Sequence, residues 1–246
     1  PLMGTPNVSG DATLAVAERF VSINGEGLQA GRLATFVRFC GCNLACSYCD
    51  TRWACEPAFE GEQISVAELL SHVADAGCAC VTLTGGEPLL QPALPDLVEA
   101  LLRADGSSAR GFAVEIETNG AVSLEPLAQL RQRMGAEHTP GTLSFTMDWK
   151  SPSSGMSAHM LAENLSWLTK CDTLKFVVGS REDLDAMREL VVAQGLTART
   201  NVLISPVFGC IEPQDIVEYM KEHSLIDVRL QLQLHKFIWP PSQRGV

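Results

Sequence analysis

The sequence predicts an α/β fold built as a partial (β/α) barrel of about six parallel strands. Two observations carry this. Short β-branched runs alternate with amphipathic stretches along almost the whole chain, and strict β/α alternation means parallel strands joined by right-handed crossovers. The second is length: 246 residues with six or seven strand-like runs fall short of the ~250-residue closed barrel of eight. An open α/β sheet is the other architecture compatible with this pattern.

Residues 1–17 read as a polar N-terminal leader, and 18–246 as a single domain with no linker or internal repeat. The run ATFVRFCG at 34–41 is the first expected strand. Residues 65–77 read as a helix. Ser65 and Glu68 have capping-box spacing, Val66, Leu69, Leu70 and Val73 form one stripe, and Gly77 stands where a C′ glycine belongs. CVTLTG at 80–85 is the next strand, followed by a helical face of Leu94, Leu97, Val98, Leu101 and Leu102. FAVEIET at 112–118 is a strand, with a weaker helix over 124–133. The alternation continues with strand 143–148, helix 157–169, strand 173–178 and helix 181–194 capped by Ser180. Strand 201–207, helix 213–223 and strand 228–234 complete it. In this class of fold, ligands gather at the C-terminal ends of the strands, where the strand-to-helix loops converge.

Composition narrows the function. Apolar residues make up 46% of the chain and charged ones 19%, which excludes a disordered or low-complexity polypeptide. The net charge of −11, without a basic cluster, argues against direct nucleic-acid binding. No stretch approaches the ~18 consecutive apolar residues of a membrane span, and the N-terminus lacks the layout of a secretory signal. A cytoplasmic protein is expected. Nine cysteines, four of them within 40–49, suit metal or redox chemistry in a reducing compartment better than a disulfide framework.

Cys42, Cys46 and Cys49 stand as C-x3-C-x2-C directly after the first expected strand. Three thiolates on one loop can hold three irons of a cubane cluster whose ordinary ligand set is four cysteines, leaving one iron open to a chelating ligand. Zinc, with Cys40 or Cys55 as fourth ligand, is the alternative, although only Cys46 and Cys49 form a CxxC. A thioredoxin-like pair would have no use for Cys42. The remaining cysteines, Cys40, Cys55, Cys78, Cys80, Cys171 and Cys210, read as buried or incidental thiols.

This loop resembles the signature of the radical S-adenosylmethionine (SAM) enzymes, in which the open iron of a 4Fe-4S cluster chelates SAM. Thr84-Gly85-Gly86-Glu87-Pro88, at the next strand end, resembles that family's GGEP motif. Its glycines would let backbone carbonyls approach the methionine moiety, and its carboxylate suits an ammonium. Alone, the segment also reads as a tight turn before a proline-started helix.

SINGEG (22–27), FVRFCGCNLACSYCDT (36–51), TGGEPLLQ (84–91), EIETNG (115–120), DWKSPSSGM (148–156), LKFVV (174–178) and QLHKFIW (233–239) are similar to the 7-carboxy-7-deazaguanine synthases. The resemblance implies ring contraction of 6-carboxy-5,6,7,8-tetrahydropterin with loss of ammonia, a step toward queuosine and other deazapurines. It also implies a flavodoxin- or ferredoxin-type electron donor and a homodimer. Cys42, Cys46 and Cys49 would hold the cluster and Thr51 a magnesium ion, although Asp50-Thr51 also reads as a helix cap. The pterin would meet Ile23, Asn24, Gly25, Glu26, Arg38, Thr84 and His235. Glu26 suits the pyrimidine edge and Arg38 the substrate carboxylate. Asn24 stands where the family has glutamine. Arg38 also reads as a surface ion pair, and His235 as a core histidine. SAM would meet Gly86, Glu117, Asn119, Asp148, Trp149, Lys150, Ser205 and Pro206, although TNG and SPSSG are also ordinary turn sequences. Val246, at the end of a seven-residue tail, is a further candidate for the substrate side. Two other readings stay open: an activase of glycyl-radical enzymes, and a non-catalytic iron–sulfur or zinc module.

Overall fold

A computed structural model describes residues 12–56, 58–106, 111–240 and 243–246. One nine-stranded sheet runs through the molecule in the order β3-β1-β2-β4-β5-β6-β7-β8-β9. Strands β1 (Thr13–Ile23), β2 (Leu33–Phe39) and β3 (Glu62–Ser65) are joined by a loop and the short helix α1 (Arg52–Cys55). Then come α2 (Val66–Ala76), β4 (Cys80–Gly85), α3 (Leu94–Arg103), β5 (Ala113–Thr118), α4 (Glu125–Ala136) and β6 (Thr142–Trp149). The chain finishes with β7 (Thr173–Val178), α5 (Arg181–Ala193), α6 (Leu196–Arg199), β8 (Asn201–Pro206), α7 (Pro213–Glu222), β9 (Val228–Leu230) and α8 (His235–Ile238).

The seven strands from β2 and β4 to β9 are parallel, as the alternation requires. The sheet is larger than expected because β1 and β3 add an antiparallel edge. Strand β1 begins inside the expected leader, so the boundary at residue 18 falls within a strand; residues 1–11 of that leader lie outside the described residues. The pair Glu18-Arg19 interrupts its apolar alternation, which hides the strand from a periodicity reading. The reason for the charges is tertiary: Arg38 donates from Nε to Glu18 at 2.8 Å across the β1–β2 pair.

Helix α2 begins as its sequence dictates. Ser65 accepts from the Glu68 amide while the Glu68 carboxylate accepts from the Ser65 amide, and Gly77 ends the helix in the left-handed region at φ 71°. Two expectations fail. The helix over 157–169 is instead two 3-10 turns, Ser157–His159 and Ala162–Ser166. Buried Asn164 is tied across to the loop after β5: it accepts from the Leu124 amide and donates to the Gly120 and Val122 carbonyls. Those contacts fix the segment in a path that a continuous helix would not follow. The last strand stops at Leu230: the Gln231 backbone N–H still donates to the Ile204 carbonyl, while its side-chain amide bonds both the N–H and the C=O of Gly27 and ties this end of the strand to the loop after β1.

The helix-facing side of the sheet carries the main core. Val37, Phe39, Leu83, Ile116, Phe145, Leu174 and Ile204 pack under Leu69, Leu97, Leu101 and Leu184. Side chains alternate across a strand, so Phe36 and Arg38 of β2 point to the opposite face. There Phe36 stacks on Phe20, with ring centroids 5.1 Å apart. A polar cavity opens on that face at the C-terminal ends of the parallel strands.

Candidate active site

The cavity has a volume of about 490 Å³, and each parallel strand from β2 to β7 contributes to it through its last residues or the loop that follows. The loop after β2 carries Cys42, Cys46 and Cys49, and all three line the cavity. This loop rests on the turn after β4, because β2 and β4 are in register with Phe39 opposite Gly85. The Gly86 amide donates to the Phe39 carbonyl and the Glu87 amide to the Gly41 carbonyl. Gly85 has φ 147°, and a Cβ on Gly86 would lie 1.9 Å from the Gly41 oxygen. A methyl group there drives one backbone into another. Gly86→Ala is therefore expected to cost about 3 kcal/mol or more and to lower the unfolding midpoint by roughly 6 °C or more, read by thermal denaturation.

Glu87 does not serve the role expected of it. It is 0% exposed, with one oxygen accepting from Thr118 Oγ1 and the Leu89 amide and the other from the Asn119 amide. It is a strut that fixes the turn after β5, and it presents no oxygen to the cavity. Burial pushes its carboxyl up to about 7.

The thiols fit a cluster better than a single ion. A hydrogen bond from the Cys55 thiol, aided by the Leu44 amide and Asn119, pulls Cys42 down to about 6 against burial. Cys55, helped by the Thr51 amide, likewise brings Cys49 to about 7. Burial pushes Cys46 up. At Cys42 and Cys49 the shift runs toward the thiolate, the form that ligates metal. Among the described residues no three His, Cys, Asp or Glu side chains are arranged to hold one metal ion. Structural zinc needs its ligands to converge on one ion, whereas cubane ligands each stand on a different iron.

Farther from the cysteines the cavity is strongly ionic. Lys175 of β7, only 5% exposed, donates to Glu26 Oε2 at 2.6 Å and lies 3.0 Å from Asp148 Oδ1; Lys150 Nζ holds the other Asp148 oxygen at 3.1 Å. Burial opposes the charge of Lys175, yet Asp148, Glu26 and Glu117 together hold its ammonium well above the ordinary range. Thr84 donates to Glu117 at 2.7 Å, and burial raises the Glu117 carboxyl. Arg38 pairs with Glu18 and also donates from Nη1 to Thr51 Oγ1 at 3.4 Å, while Thr51 donates to Asp50. Thr51 and Asp50 thus present adjacent hard oxygens, the donor type magnesium prefers. His235 is packed under Gly25, where a Cβ would come 2.6 Å from its Nδ1, and burial lowers its pKa.

Of the residues singled out in the sequence, Ile23, Gly25, Glu26, Arg38, Thr51, Thr84, Gly86, Glu117, Asn119, Asp148, Lys150 and His235 line this cavity, and so does Val246. Four expected residues do not. Asn24 is 1% exposed and turned beneath the cavity, accepting from Thr82 at 3.0 Å beside Glu115. Its short amide reaches its own floor and stops there. Trp149 packs against the helix-side core, since it alternates with Asp148 on β6. Ser205 and Pro206 are buried behind Val207, which takes the lining position. Lys175, Tyr48 and Glu18 line the site without having been singled out.

Glu115, below Gly27, accepts from Thr146 at 2.5 Å, and burial with the nearby Glu117 charge raises its carboxyl to about 7. A folded-state pKa above the ordinary carboxylate value stabilises the protein at low pH, and that contribution is lost as pH rises through about 7. Glu115→Gln removes this loss, so the variant is expected to lose less stability than the parent between about pH 5 and about pH 8, measured by urea unfolding.

Comparison with known proteins agrees with this geometry. Residues 36–136 match the Radical SAM superfamily. The 7-carboxy-7-deazaguanine synthase of Clostridium acetobutylicum is 47% identical over 231 residues, covering 94% of this chain and 98% of that protein. The enzyme of the same name from Chlorobaculum tepidum is 36% identical, covering 97% of this chain and 100% of its own. The crystal structure of QueE from Escherichia coli superimposes with a TM-score of 0.66 at 22% identity, over 92% of this chain and 96% of that one.

Proposed function

This chain belongs to the 7-carboxy-7-deazaguanine synthase family of radical SAM enzymes, and we propose that it converts 6-carboxy-5,6,7,8-tetrahydropterin into 7-carboxy-7-deazaguanine with loss of ammonia. One observation carries the substrate assignment. Glu26 Oε1 is buried without a hydrogen-bond partner, in the same cavity that the three cysteines line. An orphaned carboxylate oxygen calls for an N–H donor, and the amino-pyrimidinone edge of a pterin supplies one.

Cys42, Cys46 and Cys49 would hold the 4Fe-4S cluster, and Gly86, Glu117, Asn119, Asp148 and Lys150 surround the space for SAM. When bound, cluster and SAM together supply a carbon-centred radical that takes a hydrogen atom from a C–H bond. The protein's own part is positional. Glu26 accepts from the heterocycle, Arg38 offers its guanidinium to the substrate carboxylate, and His235, packed against Gly25, lines the same end of the site. Thr51, with Asp50, would hold magnesium against the same carboxylate. Stacked Phe20 and Phe36 wall off one side, and a dry, fixed site strengthens each of these contacts and limits side reactions.

Among the described residues no helix is long and apolar enough to cross a membrane; a cytoplasmic homodimer reduced by a flavodoxin- or ferredoxin-type protein fits the family. The test is anaerobic incubation of the reconstituted protein with SAM, magnesium, reductant and the tetrahydropterin. A ring-contracted product that requires both cluster and SAM is expected. SAM cleavage without that product would mean a different substrate, and a full cluster without SAM cleavage would mean a binding module.

A further inference from the structure

The mechanism above leaves one buried charged group without a task. Lys175 sits on β7 among four carboxylates, with Nζ bonded to Glu26 Oε2 at 2.6 Å and Asp148 Oδ1 at 3.0 Å. Burying an ammonium is costly unless it is paired, and a pair so buried adds little net stability over an apolar substitute. Its consequence is geometric. Glu26 follows β1 at the start of a loop, with Gly25 and Gly27 on either side, and the bond to Lys175 fixes the rotamer of its carboxylate. That bond occupies Oε2 and leaves Oε1 buried and free.

We infer that Lys175 is a positioning and specificity residue for the pyrimidine edge: it commits one oxygen of Glu26 to itself and aims the other at a single N–H of the ligand. The assignment rests on the substrate-binding role proposed for Glu26. It selects heterocycles that present an N–H donor at that point and rejects those that present an acceptor, which would face an anionic oxygen. Asp148 links the two ends of the site. It shares its oxygens between Lys175 and Lys150, so Lys175 keeps its charge balanced whether or not Glu26 is engaged.

The test is direct binding of 6-carboxy-5,6,7,8-tetrahydropterin and, separately, of SAM to the cluster-loaded protein by anaerobic calorimetry. Lys175→Met is expected to weaken pterin binding at least about tenfold while SAM binding stays within about twofold, and Lys175→Arg should recover most of the loss. In a Glu26→Gln background, Lys175→Met should cost less than about twofold more, because the two residues act as one unit. The double variant removes both charges together, so it reports even where Lys175→Met alone folds poorly. Unchanged pterin affinity in Lys175→Met, or equal loss of pterin and SAM without recovery by Arg, overturns the assignment. Failure of the parent protein to bind the pterin overturns the proposed function itself, and this assignment with it.

Discussion

Cys46→Ala is expected to leave the protein folded but unable to retain iron, with SAM cleavage and product formation lowered by at least about 10³-fold. Cys46 is 9% exposed, and truncating its thiol costs roughly 1 kcal/mol of packing, too little to unfold a domain with a core of this size. The loss therefore reads out chemistry. Two thiolates do not fix a cubane that ordinarily takes four, and the family's open iron depends on the other three being held. Iron and sulfide content per chain, followed alongside SAM cleavage, measures this. Full iron content with normal turnover in the variant would remove the cluster assignment.

Glu26→Ala should separate the two ends of the cavity. Pterin turnover is expected to fall by about 100-fold in kcat/KM, since a charged hydrogen bond to a ligand is worth roughly 1.5–3 kcal/mol and its loss misplaces the reacting atom as well. SAM cleavage should continue, because the cysteine loop and Lys150 make no bond to Glu26 and Asp148 keeps both of its lysines. Lys175 keeps Asp148 as its partner, so the vacancy does not leave a bare buried charge. Measuring deazapurine product and cleaved SAM in one reaction gives the ratio directly. A parallel fall in both would place Glu26 in the fold or at the SAM end.

The sequence signals that worked best were those with a local physical cause. The capping box at Ser65 and Glu68 and the Ser180 cap of α5 depend on neighbours within four residues, and both form as expected. The parallel run of β2 and β4 to β9 follows from alternation alone. The cysteine loop is legible because its three ligands are contiguous. What escaped was set by distant partners. Strand β1 carries charges because Arg38 crosses to Glu18, and the 157–169 segment is irregular because Asn164 bonds to the loop after β5. Glu87 sits in a motif that invites a ligand contact, yet Thr118 and two backbone amides consume both its oxygens. Asn24 and Trp149 fell on the wrong side because a motif match fixes a residue's position along the chain and says nothing of which face it takes. Lys175 lay within a segment resembling the family, but a lone lysine in a β-branched run gives no spacing to read; only the fold brings it to Glu26, 149 residues away.

In this assignment one cavity would hold the radical source at its cysteine end and the pterin at its Glu26 end. An anaerobic crystal structure with cluster, SAM and 6-carboxytetrahydropterin would locate both ligands. SAM is expected beside Cys42, Asn119 and Asp148, with the pterin's amino-pyrimidinone edge on Glu26 Oε1 and Lys175 still on Oε2. Pterin bound away from Glu26, or SAM outside the space between the cysteine loop and β6, would contradict it.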